Sequence, residues 1–135
     1  MIAVDTSVVV AAFASWHAQH APANRVVLGG ATLVAHSALE TYSVLTRLPT
    51  PHRARPDLVR DFLLARFPEP HLLLDGPSSK ALVARLVELG ITGGAVYDAL
   101  IATTAATAGA TLVSCDTRAA ATYQRCGAEV HLLQA

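Results

Sequence analysis

Short, mostly apolar runs alternate with longer helical segments along this chain, and the alternation limits the folds that it can adopt. The runs have the length of strands, and Pro or Gly closes most of the helical segments between them. This pattern predicts an α/β domain whose mostly parallel central sheet is flanked by helices. The apolar runs are Met1–Val4, Thr32–Ala35, His71–Leu74, Thr111–Ser114 and Glu129–Leu133.

The helical segments complete one predicted domain over residues 1–135. A chain of 135 residues, of which 53% are hydrophobic, can bury one core without disulfides or a structural metal. The predicted helices are Thr6–Ser15, His17–Leu28, Ser37–Leu48, Arg53–Arg66, Pro77–Leu89, Ala95–Ala108 and Thr117–Cys126.

Charge and cysteine usage narrow the class of protein. Ten Lys and Arg residues balance ten Asp and Glu residues, so any field that attracts nucleic acid must be local. Cys115 and Cys126 form no CxxC pair, which predicts free thiols in a reducing cytoplasm. The first residues lack a basic secretion signal, and Ala99–Val113 is too short and too rich in Thr to span a bilayer. We therefore expect a cytoplasmic protein that does not enter a membrane.

Four of the acidic residues stand in apolar surroundings, namely Asp5, Glu40, Asp98 and Asp116. Each has an ordinary explanation as a helix cap. Asp5 and Asp116 precede predicted helices, and Asp98 falls in a first helical turn. Ser37 and Glu40 match the capping-box pattern. In a parallel α/β sheet, however, the strand-to-helix junctions all lie on the edge where ligands bind. The four acids are therefore expected to converge.

Converging carboxylates predict a bound cation. Like charges brought together raise one another's pKa and destabilise the site unless a cation neutralises them. Oxygen ligands favour Mg²⁺ or Mn²⁺ over zinc. Three hydroxyls lie close in sequence to Asp5 and Asp116, and they either orient these carboxylates or act as ordinary turn hydroxyls. These hydroxyls belong to Thr6, Ser7 and Ser114.

Each acid lies in a short motif that is weak alone: Val4-Asp5-Thr6-Ser7, Ala38-Leu39-Glu40-Thr41, Tyr97-Asp98-Ala99-Leu100-Ile101-Ala102 and Ser114-Cys115-Asp116-Thr117-Arg118. In their order and spacing, over nearly the whole chain, these motifs resemble the PIN-domain ribonucleases, and within them the toxin half of VapBC toxin–antitoxin pairs.

The resemblance implies a function and a set of partners. It implies that the four acids coordinate one or two Mg²⁺ or Mn²⁺ ions and that the chain is an endoribonuclease, cutting structured RNA such as tRNA or rRNA to inhibit translation. It further implies a VapB-like antitoxin as partner and a homodimer. A housekeeping nuclease of the same family is the alternative function.

An arginine-rich window is a candidate RNA surface. Arginine suits phosphate oxygens and unpaired bases, and Arg118 lies next to the predicted site. The alternative is a solvated helix face on which Asp57 and Asp61 pair with nearby arginines. The window contains Arg47, His52, Arg53, Arg55, Arg60 and Arg66.

Other protein classes fit the acids less well. A phosphoacceptor receiver domain needs a second acid after the first strand and a lysine after the last strands, but Lys80 is the only lysine. A phosphatase with a DxD start fails because Ser7 replaces the second acid. A non-catalytic RNA- or protein-binding module on this fold would tolerate the loss of some acids, and all four are present.

Overall fold

The structure is a computed structural model that describes residues 1–134. Four parallel strands form its sheet, in the order β2-β1-β3-β4. The sheet is wholly parallel within the described residues, as the alternation of strands and helices predicted. The strands are β1 (Ile2–Val4), β2 (Thr32–Leu33), β3 (Thr111–Ser114) and β4 (Glu129–Leu132).

Helices cover both faces of this sheet. Because side chains alternate along a strand, Ala3 and Leu112 enter a core on one face, while Val4 and Val113 enter a core on the other. The two central strands, β1 and β3, are therefore buried on both sides over most of their length, whereas the edge strand β4 remains partly exposed. The helices are α1 (Thr6–Phe13), α2 (His20–Leu28), α3 (Ala35–Thr46), α4 (Pro56–Arg66), α5 (Gly76–Leu89), α6 (Ala95–Thr107) and α7 (Thr117–Arg125).

The central position of β1 brings two distant parts of the chain together. β1 pairs with β2 on one side and with β3 on the other, so the direction of the connections reverses next to it. The backbone N–H of Asp5 donates to the carbonyl of Val113 at 3.2 Å. The residues that follow β1 and β3 therefore share one edge of the sheet.

Two predictions about local structure are wrong. The run His71–Leu74 is not a strand, because only Leu72 pairs, through a single bridge to Val34. Ser37 and Glu40 form no capping box, because α3 begins at Ala35 and Ser37 already lies inside the helix. The Ser37 hydroxyl is buried and finds no hydrogen-bond partner among residues 1–134.

The remaining helix predictions agree within three residues at each end. α4 begins at Pro56 because proline is favoured in the first turn of a helix and excludes helical conformation from the residue before it. α5 ends at Leu89 and is capped by Gly90, whose φ of 67° glycine adopts without strain. None of the described helices is long and apolar enough to cross a membrane.

Candidate metal centre

Asp5 ends β1 and caps α1, and its side chain is almost entirely buried. Only 1% of the residue is exposed, and its Oδ1 accepts a hydrogen bond from the backbone N–H of Val8 at 3.1 Å. This is the cap that the sequence suggested. A carboxylate at such a depth needs further donors to remain ionised.

Three hydroxyl groups supply those donors. Ser7 Oγ donates to Oδ1 of Asp5 at 2.5 Å, and Ser114 Oγ donates to Oδ2 at 2.5 Å. Tyr123 Oη donates to the same Oδ2 at 2.8 Å. With the N–H of Val8, four donors meet the roughly four lone-pair positions of the carboxylate. The hydrogen-bonding capacity of Asp5 is therefore filled.

The two serine oxygens are themselves held by the backbone after β3. Ser7 Oγ accepts a hydrogen bond from the N–H of Cys115 at 2.8 Å, and Ser114 Oγ accepts one from the N–H of Asp116 at 2.9 Å. Ser7 and Ser114 thus lie where the sequence predicted, beside the carboxylate they orient. Thr6 does not, because its hydroxyl is buried without a hydrogen-bond partner in the part of the chain that the structure describes.

Tyr123 is a site residue that the sequence analysis missed. It lies on α7, and only 2% of it is exposed. The available signal was its spacing from Asp116, because residues seven apart occupy the same side of a helix. Burial, together with the nearby charge of Asp5, raises the pKa of its phenol far above the ordinary value. Tyr123 therefore stays protonated and serves as a hydrogen-bond donor.

The other three acids share one surface depression. Glu40 comes from α3, Asp98 from the first turn of α6, and Asp116 from the N-cap of α7. All three are half-buried, in contrast to Asp5. Asp116 also caps its helix, with Oδ1 accepting from the N–H groups of Arg118 and Ala119 at 3.0 and 3.1 Å.

The electrostatics of the depression centre on Asp98. Its pKa is raised, first by burial and then by the charges of Asp116 and Glu40, with a smaller effect of Asp5. The charge of Arg118 opposes the shift. Burial also outweighs the four hydrogen bonds at Asp5 and raises the pKa of that carboxyl. Both carboxylates are therefore held in surroundings that favour an added cation or an added proton.

The acids approach one another without closing around a point. Within residues 1–134, no three acidic, histidine or cysteine side chains stand close enough to hold an ion together. Glu40 instead lies 3.5 Å from Nε2 of His36, and Asp116 lies 3.9 Å from Arg118. The donor set is nevertheless made of carboxylate oxygens alone, and this suits a hard divalent cation.

The arginine window is partly neutralised. Arg55 forms a two-bonded ion pair with Asp57, at 3.2 and 2.7 Å, and Arg60 pairs with Asp61 at 2.9 Å. These are the pairs expected of a solvated helix face. Of the other predicted RNA contacts, Arg118 lies near Asp116. Arg47 and Arg53 have no acidic partner in the described structure. Arg47 donates to Ser43 Oγ, and Arg53 donates to the carbonyl of Leu48.

Replacing Tyr123 with Phe tests the buried network. We expect the free energy of unfolding to fall by about 1.5–3 kcal/mol near neutral pH, because a charged acceptor loses a donor. The raised pKa of Asp5 means that its ionised form destabilises the fold, and the variant raises that pKa further. The difference from the wild type should therefore be largest at high pH and shrink as the pH falls through the pKa of Asp5.

Urea unfolding of the metal-free protein at several pH values measures this effect. Tyr42→Phe is the matched control, since its ring is exposed and its hydroxyl makes no hydrogen bond among the described residues. An equal loss of stability at every pH would mean that the Tyr123 hydroxyl does not act through Asp5.

Comparison with known proteins agrees with this geometry. Residues 2–124 match the PIN domain family. The chain is 50% identical over 133 residues to Ribonuclease VapC40 of Mycobacterium tuberculosis, which covers 98% of this chain and 99% of the relative. It is 42% identical over 134 residues to Ribonuclease VapC27 of the same species, covering 96% of this chain and 94% of the relative. This protein therefore belongs to the PIN-domain family, and within it to the group of the VapC ribonucleases.

Proposed function

We propose that this chain is a divalent-metal-dependent endoribonuclease, the toxin component of a type II toxin–antitoxin pair. The observation that carries the proposal is the shared depression of Glu40, Asp98 and Asp116, in which burial and neighbouring charges raise the pKa of Asp98. Two relatives named as VapC ribonucleases align over nearly the whole chain, and this supports the assignment.

The proposed cofactor is Mg²⁺, with Mn²⁺ as an alternative. Asp98, Asp116 and Glu40 are the proposed direct ligands, and Asp5 is the fourth acid of the set. An ion held by these residues would supply Lewis-acid chemistry, activating water for attack and neutralising the charge that develops on the phosphate. This chemistry needs no nucleophile from a side chain.

The chain's own residues position the substrate and the acids. Ser7, Ser114 and Tyr123 fix the orientation of Asp5, and the backbone after β3 fixes the two serines. Arg118 is 87% exposed in its side chain and lies beside Asp116, so its guanidinium is available to a phosphate that enters the depression. Arg47 and Arg53 are the further proposed phosphate contacts. Arg55 is a weaker proposal, because Asp57 already occupies its guanidinium.

The proposed substrate and partners follow from the group to which the chain belongs. We propose a structured RNA, tRNA or rRNA, as the substrate and a cognate VapB-like antitoxin as the inhibitor. A homodimer is the proposed assembly, and the cytoplasm, where both kinds of RNA reside, is the proposed site of action. A housekeeping nuclease would also cleave RNA with a bound metal ion but would have no antitoxin partner. A non-catalytic binding module would not cleave RNA.

Cleavage of a panel of end-labelled tRNAs and rRNA fragments tests the proposal. We expect discrete cuts in Mg²⁺ or Mn²⁺ and none in EDTA. Co-expression with the product of a small neighbouring open reading frame should suppress the cuts and restore cell growth. Cutting that persists in EDTA would contradict the metal mechanism, and growth inhibition that no neighbouring product relieves would contradict the toxin–antitoxin assignment.

Metal binding should also stabilise the fold in the absence of RNA. A ligand present at 100 times its Kd and bound only by the native state adds about 2.7 kcal/mol. We therefore expect Mn²⁺ to raise the Tm in a concentration-dependent way and EDTA to reverse the effect. Asp116→Asn should reduce the rise, while Glu88→Gln, an exposed acid on α5, should not. An equal rise in both variants would place the ion elsewhere.

A further inference from the structure

Helix α5 carries a strip of apolar side chains on the side that points away from the core. Leu82 and Leu86 pack into the core and are buried, whereas Val83 and Val87 are 65% and 77% exposed. Valine is a poor choice for the solvated face of a helix, because its branched side chain lowers helix propensity and offers water no polar group. The outer face of α5 is therefore apolar without a partner among residues 1–134.

A row of three residues runs along the middle of this outer face: Lys80, Ala84 and Glu88. Residues four apart lie on the same side of a helix, and Ala84 is two positions from both Leu82 and Leu86, so the row is opposite the buried side. All three residues are exposed. Neither Lys80 nor Glu88 forms an ion pair within the described chain. Two opposite, unpaired charges thus stand on either side of a small residue.

This row is complementary to itself. In a two-fold symmetric dimer, the same surface of each protomer forms the contact. If the axis passes through Ala84 perpendicular to α5, the two helices run antiparallel and each Lys80 faces the partner's Glu88. Both charges lie four positions, about 6 Å, from Ala84 along the helix. Parallel helices would instead set lysine against lysine and glutamate against glutamate. The charges therefore favour the antiparallel pair.

The small side chain of Ala84 allows the two helices to approach closely. Packed helices have axes about 8–10 Å apart, and the side chains at the crossing set the distance. The exposed valines then flank the crossing and are covered by the partner's helix. Leu73, which is 78% exposed, extends the apolar surface, because it lines one small cavity with Ser79 of α5. No residue of α5 lines the depression of the acids, so this contact leaves both depressions open.

We propose that α5 forms the contact between two copies of this chain, packed antiparallel about a two-fold axis at Ala84. The inference rests on the homodimer of the proposed function and adds the surface that forms it. A second copy fits this face better than an unrelated protein, because the face supplies its own complement. Apolar side chains meet apolar side chains, and Lys80 meets the partner's Glu88.

Disulfide trapping in the full chain tests the position of the axis. Ala84→Cys places two thiols at the crossing, close enough for a disulfide, so mild oxidation should give a linked dimer. Ala65→Cys replaces an exposed alanine on α4 and is the matched control, which should stay unlinked. The wild type should stay unlinked as well, since Cys126 is buried and Cys115 is half-buried.

Charge reversal, followed by sedimentation equilibrium, tests the antiparallel register. Lys80→Glu sets two glutamates against each other at both ends of the contact, so the dimer Kd should rise about tenfold. Lys80→Glu combined with Glu88→Lys restores opposite charges and should return the Kd to within about threefold of the wild type. Glu88→Gln alone removes an exposed charge without creating repulsion, so it should remain dimeric.

A charge at the axis is the strongest disruption. Ala84→Glu brings two glutamates together at the crossing, and we expect a folded monomer at concentrations where the wild type is a dimer. Ala65→Glu is its control on α4 and should remain dimeric. Circular dichroism and urea unfolding check that both variants are folded, which an exposed helical position allows.

Three results would overturn the inference. A folded Ala84→Glu chain that remains dimeric, or an Ala84→Cys chain that links no faster than Ala65→Cys, would place the dimer contact elsewhere and leave the proposed homodimer standing. A double charge reversal that fails to restore the Kd would contradict the antiparallel register. A wild-type chain that stays monomeric at every concentration would contradict the proposed homodimer, and the α5 contact with it.

Discussion

Asp98→Asn is expected to abolish metal-dependent RNA cleavage, with kcat/KM falling by about 10³-fold or more. A divalent ion contributes several kcal/mol to the stabilisation of a phosphodiester transition state, and each 1.36 kcal/mol is worth tenfold in rate. Burial raises the pKa of Asp98, and the charges of Asp116, Glu40 and Asp5 raise it further, so its carboxylate has most to gain from a bound cation. Single-turnover cleavage of an end-labelled RNA measures the loss.

The same variant should be more stable than the wild type without metal. The raised pKa of Asp98 means that its ionised form is disfavoured in the fold, so removing the charge relieves repulsion from Asp116 and Glu40. This benefit is present above the raised pKa and is lost as the pH falls through it. We expect a Tm increase of about 2 °C in EDTA at neutral pH and a much smaller rise on adding Mn²⁺.

Glu88→Gln is the matched control for Asp98→Asn, because it removes an exposed carboxylate on α5, away from the depression. It should leave cleavage and the metal-dependent rise in Tm unchanged. An Asp98→Asn variant that still cuts RNA in Mg²⁺ at near the wild-type rate would contradict the role given to this acid. So would an Asp98→Asn variant that is less stable than the wild type in EDTA.

Ser114→Ala is expected to cause a large loss of stability, about 2–4 kcal/mol. The Ser114 hydroxyl donates to the buried carboxylate of Asp5 and accepts from the N–H of Asp116. Its removal takes a donor from a charged group and leaves a half-buried N–H without its partner. Chemical unfolding at neutral pH measures the change, and cleavage should fall with it because Asp5 and Asp116 lose their common support.

Ser79→Ala provides the comparison, since Ser79 is an exposed serine on α5. Its effect should stay within about 0.5 kcal/mol, as for most surface substitutions. A Ser114→Ala variant as stable as Ser79→Ala would mean that water or a neighbouring group replaces the serine hydroxyl. The buried network would then not be what holds Asp5 in place.

The position of Asp5 and Asp116 at one edge of the sheet was predictable from two patterns in the sequence, the apolar runs and the acids that follow them. Asp5 and Asp116 each follow a short apolar run, and parallel strands bring such ends together. Ser7 and Ser114 follow from their closeness to those acids in sequence. The strand β3 (Thr111–Ser114) was predicted with its observed bounds, and its last three residues are buried.

Three details of the structure were not predicted correctly from the sequence, and each has a physical cause. Tyr123 was missed because its role depends on a hydrogen bond to Asp5, which lies 118 positions earlier in the chain. Thr6 was expected to orient the carboxylate of Asp5. The Thr6 hydroxyl instead has no hydrogen-bond partner within the described residues. The run His71–Leu74 looks like a strand, yet only its second residue reaches the bridge with Val34. The periodicity of apolar residues does not show which residues far apart in the sequence come into contact.

The hydrogen bonds of Asp5 bear on the order in which an incoming ion contacts the four acids. Its four lone-pair positions are filled by Val8, Ser7, Ser114 and Tyr123, while the other acids remain open to solvent. An ion that enters the depression therefore meets Asp98 and Asp116 first. Direct contact with Asp5 requires one of its four donors to give way.

The most direct test of whether these acids form a metal site is to locate Mn²⁺ in crystals of the wild-type chain by anomalous scattering. We expect one strong peak in the depression, within coordination distance of carboxylate oxygens of both Asp98 and Asp116, and its loss in Asp98→Asn crystals. A peak that does not involve these acids, or none at millimolar Mn²⁺ with the acids still apart, would contradict the claim that they form the metal site of this nuclease.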